Sequence, residues 1–312
     1  MRIVFFGTPL FAVPSLKALL AGGSDVLAVV TQPDRPQGRS RSLLVPSPIK
    51  IIADDLGIPV LQPDRPVGDV FGERLRRLDP DLGVVVAYGH ILRPDILEIP
   101  RLGMINVHAS LLPRLRGAAP IPWAILNGEK ETGVSTMQME AGLDSGPVYH
   151  RASISVGNDE TGGELLPRLA QLGAAVLVET LNALAHGAQP APQDEAAATY
   201  APKVDRARCR IRWEGDAEQE SGRIRAFDPD PGAWSTFEGN EVKLFGATAH
   251  YDTRSPSSPC PPGTVLQAGE RLSVQTGSGT MLVREVQPAG KKRMAVAAWV
   301  RGRKVEPGQR FE

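Results

Sequence analysis

Short apolar runs that do not alternate with polar residues recur through the first part of this chain. They are Ile3-Val4-Phe5-Phe6, Asp25 to Thr31, Gly83-Val84-Val85-Val86-Ala87-Tyr88 and Met104 to Ala109. A strand that is apolar on both faces has to be covered on both, as happens in parallel sheets. Between these runs, Pro14 to Leu20, Ile49 to Leu56 and Asp69 to Leu78 read as helices. Alternating strands and helices predict an α/β fold, a Rossmann-like and mostly parallel sheet with helices on its faces. Pro59-Val60-Leu61 and Gly133 to Met139 read as further strands. Thr161-x-x-Glu164 resembles a capping box before a long helix to His186, in which Pro167 would delay the start or introduce a kink.

The texture changes after Asp205. Val242-Lys243-Leu244-Phe245, Arg271-Leu272-Ser273-Val274 and Met281-Leu282-Val283 are separated by Gly, Pro and Asn turns, the pattern of a small OB-like β-barrel. The Ala- and Pro-rich tract before it, from Gly187, reads as a linker. The expected organisation is a Rossmann-like domain over 1–188, a linker over 189–204 and a barrel over 205–312. Formal charge is −3 up to Val204 and +3 beyond it, so the chain as a whole carries no basic signature. Within the second part, Arg206, Arg208, Arg210 and Arg212 alternate, and as a strand would form a one-sided basic stripe. Lys291-Lys292-Arg293 and Arg301, Arg303, Lys304 add two clusters suited to a phosphate backbone. Two cysteines, Cys209 and Cys260, make no disulfide framework, and a cytoplasmic location is expected. The apolar start, Met1 to Phe6, is too short for a signal peptide, and no 18-residue apolar run predicts a membrane span.

Asn106 and His108 stand two residues apart inside the run Met104 to Ala109, and so share one face of the strand. An apolar strand has no need of an amide and an imidazole on one face, and each is costly if buried without a partner. Ser110-Leu111-Leu112-Pro113 ends the strand at once, and the ends of α/β strands are where such folds keep their chemistry. Tyr88-Gly89-His90 ends another strand at the same edge. Asp144 lies in the turn Gly142-Leu143-Asp144-Ser145-Gly146, free to aim a carboxylate inward. An amide and a protonated imidazole can donate to an oxyanion, and a carboxylate can orient the imidazole or manage a proton. Together they suit attack by an amine on an acyl carbon. No hydroxyl or thiol stands out as a nucleophile. None of the five histidines pairs at a metal-binding spacing, and no metal is expected. Residues 31–48 hold four prolines and Arg35, Arg39 and Arg41, which predicts an irregular, phosphate-seeking loop.

Phe6-Gly7-Thr8-Pro9, Thr31-Gln-Pro-Asp-Arg-Pro36, Val85-Val86-Ala87-Tyr88-Gly89, Ile105-Asn-Val-His108-x-Ser110-Leu-Leu-Pro-Arg114, Arg116-Gly-Ala-Ala-Pro-Ile121 and Gly142-Leu-Asp144-Ser-Gly146 together resemble the methionyl-tRNA formyltransferases. The resemblance runs in order over nearly the whole chain. It implies transfer of a formyl group from 10-formyltetrahydrofolate to the α-amine of methionine on initiator tRNA. It also implies Asn106, His108 and Asp144 as the catalytic trio, and Ser110, Leu111, Leu112 and Pro113 as a folate-contacting loop. The Tyr88 region would line the pterin pocket. Arg35, Arg39 and Arg41 would sit on a loop engaging the tRNA acceptor end, and Lys203 near the substrate. Leu115 stands where the family commonly has Trp, and Leu10 where an acid is common. The same catalytic domain would also suit a glycinamide ribonucleotide or nucleotide-sugar formyltransferase, or a formyltetrahydrofolate hydrolase. A nucleic-acid-binding module with a decayed active site is the reading from another class. No protein partner is implied.

Overall fold

The computed structural model describes residues 1–37, 43–251 and 260–312. They form two compact units. One comprises Met1–Pro120, Glu131–Ile154 and Leu166–Pro202; the other comprises Ile121–Lys130, Ser155–Leu165 and Lys203–Glu312. Among the described residues no helix is long and apolar enough to cross a membrane.

In chain order the elements up to residue 185 are β1 (Arg2–Gly7), α1 (Val13–Ala21), β2 (Asp25–Val30), β3 (Arg35–Gln37), β4 (Leu43–Val45), α2 (Pro48–Asp55), β5 (Val60–Leu61), α3 (Asp69–Leu78), β6 (Leu82–Val86), α4 (Pro94–Leu97), β7 (Met104–His108), α5 (Pro120–Leu126), β8 (Glu131–Gln138), β9 (Val148–Ser155) and α6 (Gly162–Ala185). Seven strands make one sheet in the order β5-β2-β1-β6-β7-β8-β9. β5 through β7 of that order run parallel, and β8 is antiparallel to β7. The chain winds from β1 outward through β2 and β5, then resumes on the other side at β6. The carboxyl ends of β1 and β6 therefore bound the crevice where such sheets bind ligands. One face of the sheet, with Val4, Phe6, Val30 and Val85, packs against Phe71 and Leu75 of α3 and Ile96 and Leu97 of α4. Ile3, Phe5 and Val84, pointing the other way, are just as buried. This is the expected α/β sheet.

Two expectations for this unit are corrected. Residues 31–48 are not irregular throughout, because β3 and β4 pair antiparallel with Pro36 opposite Leu44. A two-stranded ribbon has open edges, where a proline's missing N–H costs no ladder bond. Arg39 and Arg41 lie outside the described residues. The tract read as a linker is bonded into the first unit as far as Pro202. Ala191 and Val148 exchange backbone bonds of 2.9 and 2.8 Å, and Ala201, fully buried, donates its N–H to the Arg116 carbonyl at 2.7 Å. Composition marks a linker only when the backbone is left to water; here it is not. The capping box forms as expected, with Glu164 N–H donating to Thr161 Oγ1 at 3.2 Å and Thr161 N–H to Glu164 Oε2 at 2.9 Å. Pro167 lies inside α6 without delaying its start. β9 was not foreseen; from His150 to Ser155 half-buried and exposed residues alternate along this strand at the sheet's edge.

The second unit adds α7 (Ala217–Ala226), β10 (Ala233–Phe237), β11 (Asn240–Phe245), β12 (Thr248–His250), β13 (Val265–Ala268), β14 (Leu272–Gln275), β15 (Thr280–Val283), β16 (Glu285–Pro288), β17 (Met294–Ala295) and α8 (Val296–Arg303). Its strands form two four-stranded antiparallel sheets, β10-β11-β16-β17 and β12-β15-β14-β13. Phe311 bridges to Phe237 of one sheet, and Arg310 to Thr264 beside the other, which draws the sheets into one small β domain. Phe237, Trp299, Phe311 and Trp213 stack at centroid distances of 4.8 to 6.1 Å in its core.

Candidate active site

β7 is paired on both sides, Val85 opposite Asn106 and His108 opposite Ser135. Its odd-numbered residues face α6. A side chain on Gly173 would touch Val107 at 3.0 Å, and Thr136, the register partner of Val107, bonds Thr180 at 2.6 Å. Asn106 and His108 point to the opposite face, as their spacing requires. His108 is buried there and Asn106 half-buried.

Asp144 joins them. Asn106 Nδ2 donates to Asp144 Oδ1 at 3.4 Å, His108 Nδ1 stands 3.7 Å from Oδ2, and the Gly117 N–H donates to Oδ2 at 2.8 Å. His108 Nε2 lies 3.0 Å from the Leu115 carbonyl. A carbonyl can only accept, so Nε2 carries a proton and Nδ1 looks at the carboxylate. In this arrangement Nε2 is committed to the carbonyl, while Nδ1, beyond hydrogen-bond distance of the carboxylate, faces Asp144. The ring of His108 is thus set between a carbonyl and a carboxylate. Of the Asn106 amide's two hydrogens, one remains for a ligand.

The backbone is bent to make this arrangement. Asp144 and Leu115 are non-glycine residues at φ +50° and +58°, a conformation that persists only where the surroundings fix it. Gly117, at φ +117°, could not carry a Cβ, which would stand 2.8 Å from the Ala201 carbonyl. At Gly146 the same atom would collide with the Gln138 carbonyl.

The loop after β7 is fixed from β8. Ser135 Oγ donates to the Ser110 carbonyl at 2.7 Å and accepts the Leu112 N–H at 3.0 Å; Arg151 Nε donates to the Leu112 carbonyl at 2.7 Å. Leu112 is buried with Met137 and Val148, while Leu111 and Pro113 are half-buried. Tyr88 brings its backbone, not its side chain, to this edge of the sheet. Its side chain is 1% exposed in the core, ring against Phe6 and His90, and its hydroxyl has no partner. Burial pushes that phenol up to about 12. What faces the crevice here is backbone: the Tyr88 carbonyl accepts from Thr8 Oγ1 and Gln32 Nε2, each at 3.1 Å.

Arg35 is exposed and bonded to Gln32. Lys203 is exposed in the second unit. The basic stripe expected along a strand at Arg206 to Arg212 is instead mostly a turn. Arg206 and Arg210 lie over the Trp234 ring at 4.5 and 5.4 Å, and Arg208 over Trp123 at 5.7 Å. Arg293 is engaged by Asp228 at 2.6 Å and Glu285 at 2.5 Å, so Lys291 and Lys292 are left as that cluster's exposed cations. Sequence reasoning missed Arg116, Gln193, Glu195 and Thr199, which bond the site's two loops. A buried arginine at 116 implies an acidic partner, but nothing local says which. Among the described residues no three acidic, His or Cys side chains gather as a metal site would need.

Residues 1–181 match the family model described as formyl transferase, and residues 203–304 match that of the formyl transferase C-terminal domain. A methionyl-tRNA formyltransferase of Methylococcus capsulatus is 48% identical over 296 residues, covering 95% of this chain and 94% of that protein. One of Moorella thermoacetica is 47% identical over 311 residues, covering 99% and 98%. The solved structure of HypX from Aquifex aeolicus in complex with tetrahydrofolic acid shares the fold, with TM-score 0.66 at 20% identity over 96% of this chain and 47% of that one.

Proposed function

The chain belongs to the formyl transferase family, and on that premise we propose that it transfers the formyl group of 10-formyltetrahydrofolate to the α-amine of methionine on initiator tRNA. The observation that carries the reading is the single carboxylate, Asp144, joining Asn106 and His108 at the carboxyl end of β7. Near-full-length likeness to relatives named methionyl-tRNA formyltransferase supports the acceptor. The folate donor, when bound, supplies a formyl carbon attached to a nitrogen that can leave.

The roles follow from the atoms. The remaining hydrogen of Asn106 Nδ2 donates to the formyl oxygen as charge collects there, and the His108 imidazolium stabilises that charge at short range. Asp144 holds the imidazolium and takes up the proton that the attacking amine sheds. That proton leaves with the donor nitrogen as its bond to the formyl carbon breaks. Ser110, Leu111, Leu112 and Pro113, fixed by Ser135, would hold the folate beside Tyr88. Arg35, Arg39, Arg41 and Lys203 would meet the tRNA. On this reading 1–188 is the catalytic region and 205–312 positions the tRNA.

The test is donor turnover with and without methionylated tRNA. Formyl loss that requires the tRNA and appears as N-formylmethionine is the expected result. Loss at the same rate without tRNA would make water the acceptor and overturn the proposal.

A further inference from the structure

Residues 193–201 are bonded to both loops that carry the site. Gln193 Nε2 donates to the Asp144 carbonyl at 2.9 Å and to the Gly146 carbonyl at 2.7 Å, spanning the turn that aims the carboxylate. Its other amide atom, Oε1, accepts from Arg116 Nε at 3.1 Å and Nη2 at 2.9 Å. The Arg116 guanidinium is 2% exposed and closes on Glu195 through Nη1 at 2.9 Å and Nη2 at 2.7 Å. Thr199 holds the second loop, accepting the Leu115 N–H on Oγ1 at 2.9 Å and the Arg116 N–H on its carbonyl at 2.8 Å. Leu115 is the residue whose carbonyl fixes His108 Nε2.

We propose that this segment is a strap that positions the reacting groups, with Gln193 setting Asp144 and Thr199 setting His108 through Leu115. The proposal rests on the catalytic reading of Asp144 and His108. Both strapped residues, Asp144 and Leu115, sit at positive φ, where an unsupported chain would relax. Gln193 makes all its bonds with one rigid amide, so the Asp144 turn is tied to a buried cation rather than left to solvent. Displacing a reacting group by about 1 Å can cost ~10²-fold in rate while binding is unchanged.

Gln193→Glu keeps length and the acceptor for Arg116 but turns two donated bonds into oxygen facing oxygen. Its kcat is expected to fall ~10–10²-fold, with KM for donor and tRNA within about twofold of wild type. Thr199→Val, without the hydroxyl, should lose kcat likewise, and Thr199→Ser should restore it. Combining Gln193→Glu with Asp144→Asn should cost no more than Asp144→Asn alone, since both act through one carboxylate. An unchanged kcat in Gln193→Glu and Thr199→Val beside a crippled Asp144→Asn would overturn the strap and leave the site intact. Additive losses, or a Thr199→Ser no better than Thr199→Val, would reduce the segment to a structural tie. A wild-type kcat in Asp144→Asn would remove both readings.

Discussion

Asn106 and Tyr88 are both polar residues near a strand end, and their environments give them opposite expectations. Asn106 is half-buried with one amide hydrogen uncommitted. Asn106→Ala should lower the single-turnover rate ~10²–10³-fold, the usual cost of one oxyanion donor. A near-wild-type rate would take that role away. Tyr88 buries a hydroxyl with no partner. Tyr88→Phe should therefore leave stability equal or raise it by about 1–2 kcal/mol in denaturant melts, and a loss of that size would mean the hydroxyl is bonded after all. Its folded phenol titrates near 12, above the unfolded value of 10. The neutral form is favoured by folding, so this contribution is complete below pH 10 and fades between 10 and 12. In Tyr88→Phe that part of the alkaline loss should vanish. Asn106 and His108 were legible because polar groups stand out in an apolar strand. Gln193 was not, because its partners lie 47, 49 and 77 residues away and its own surroundings are an Ala-Pro tract.

Among the elements, helices and buried strands were legible where periodicity and burial agree, as in α3, which spans Asp69–Leu78 as expected. The β3–β4 ribbon was hidden by its proline count. Its base is fixed at Asp34, whose carboxyl accepts from Lys50 Nζ and Gln62 Nε2, both at 2.7 Å. Those bonds, Lys50 first, hold the carboxyl below its usual range. In sequence Arg39 falls between β3 and β4. Arg39→Ala should raise KM for tRNA with donor affinity unchanged, and a defect confined to the donor would contradict the assignment of the loop. At the start of α6, Thr161→Ala removes half of a formed capping box and should cost about 1 kcal/mol in a denaturant melt. The Glu164 carboxyl, held low by the Thr161 N–H, contributes at neutral pH and loses that contribution as pH falls through its lowered value. The arginine run 206–212 misled because alternation alone does not make a strand; stacking on Trp234 and Trp123 takes those side chains instead.

At the scale of the whole molecule, a chain of formal charge zero has to bind a polyanion through local groups. Lys291 and Lys292 are the exposed pair beside an Arg293 already neutralised by Asp228 and Glu285. Replacing both with Ala should weaken tRNA binding and reduce the salt slope by about one to two, with the ratio between tRNA species unchanged. An unchanged slope would place the phosphate contacts elsewhere. The division into an α/β part and a β part was legible from the change in hydrophobic texture near residue 205. The attachment of 189–202 to the first unit was not, since hydrogen bonds made at long range leave no local signature. Which amine receives the formyl group decides what this protein does. The measurement that reaches it most directly follows N-formylmethionine formed from 10-formyltetrahydrofolate on methionylated initiator tRNA, with methionylated elongator tRNA as competitor. Formylation of the initiator with the elongator left untouched is the predicted result; equal formylation of both, or of neither, would contradict it.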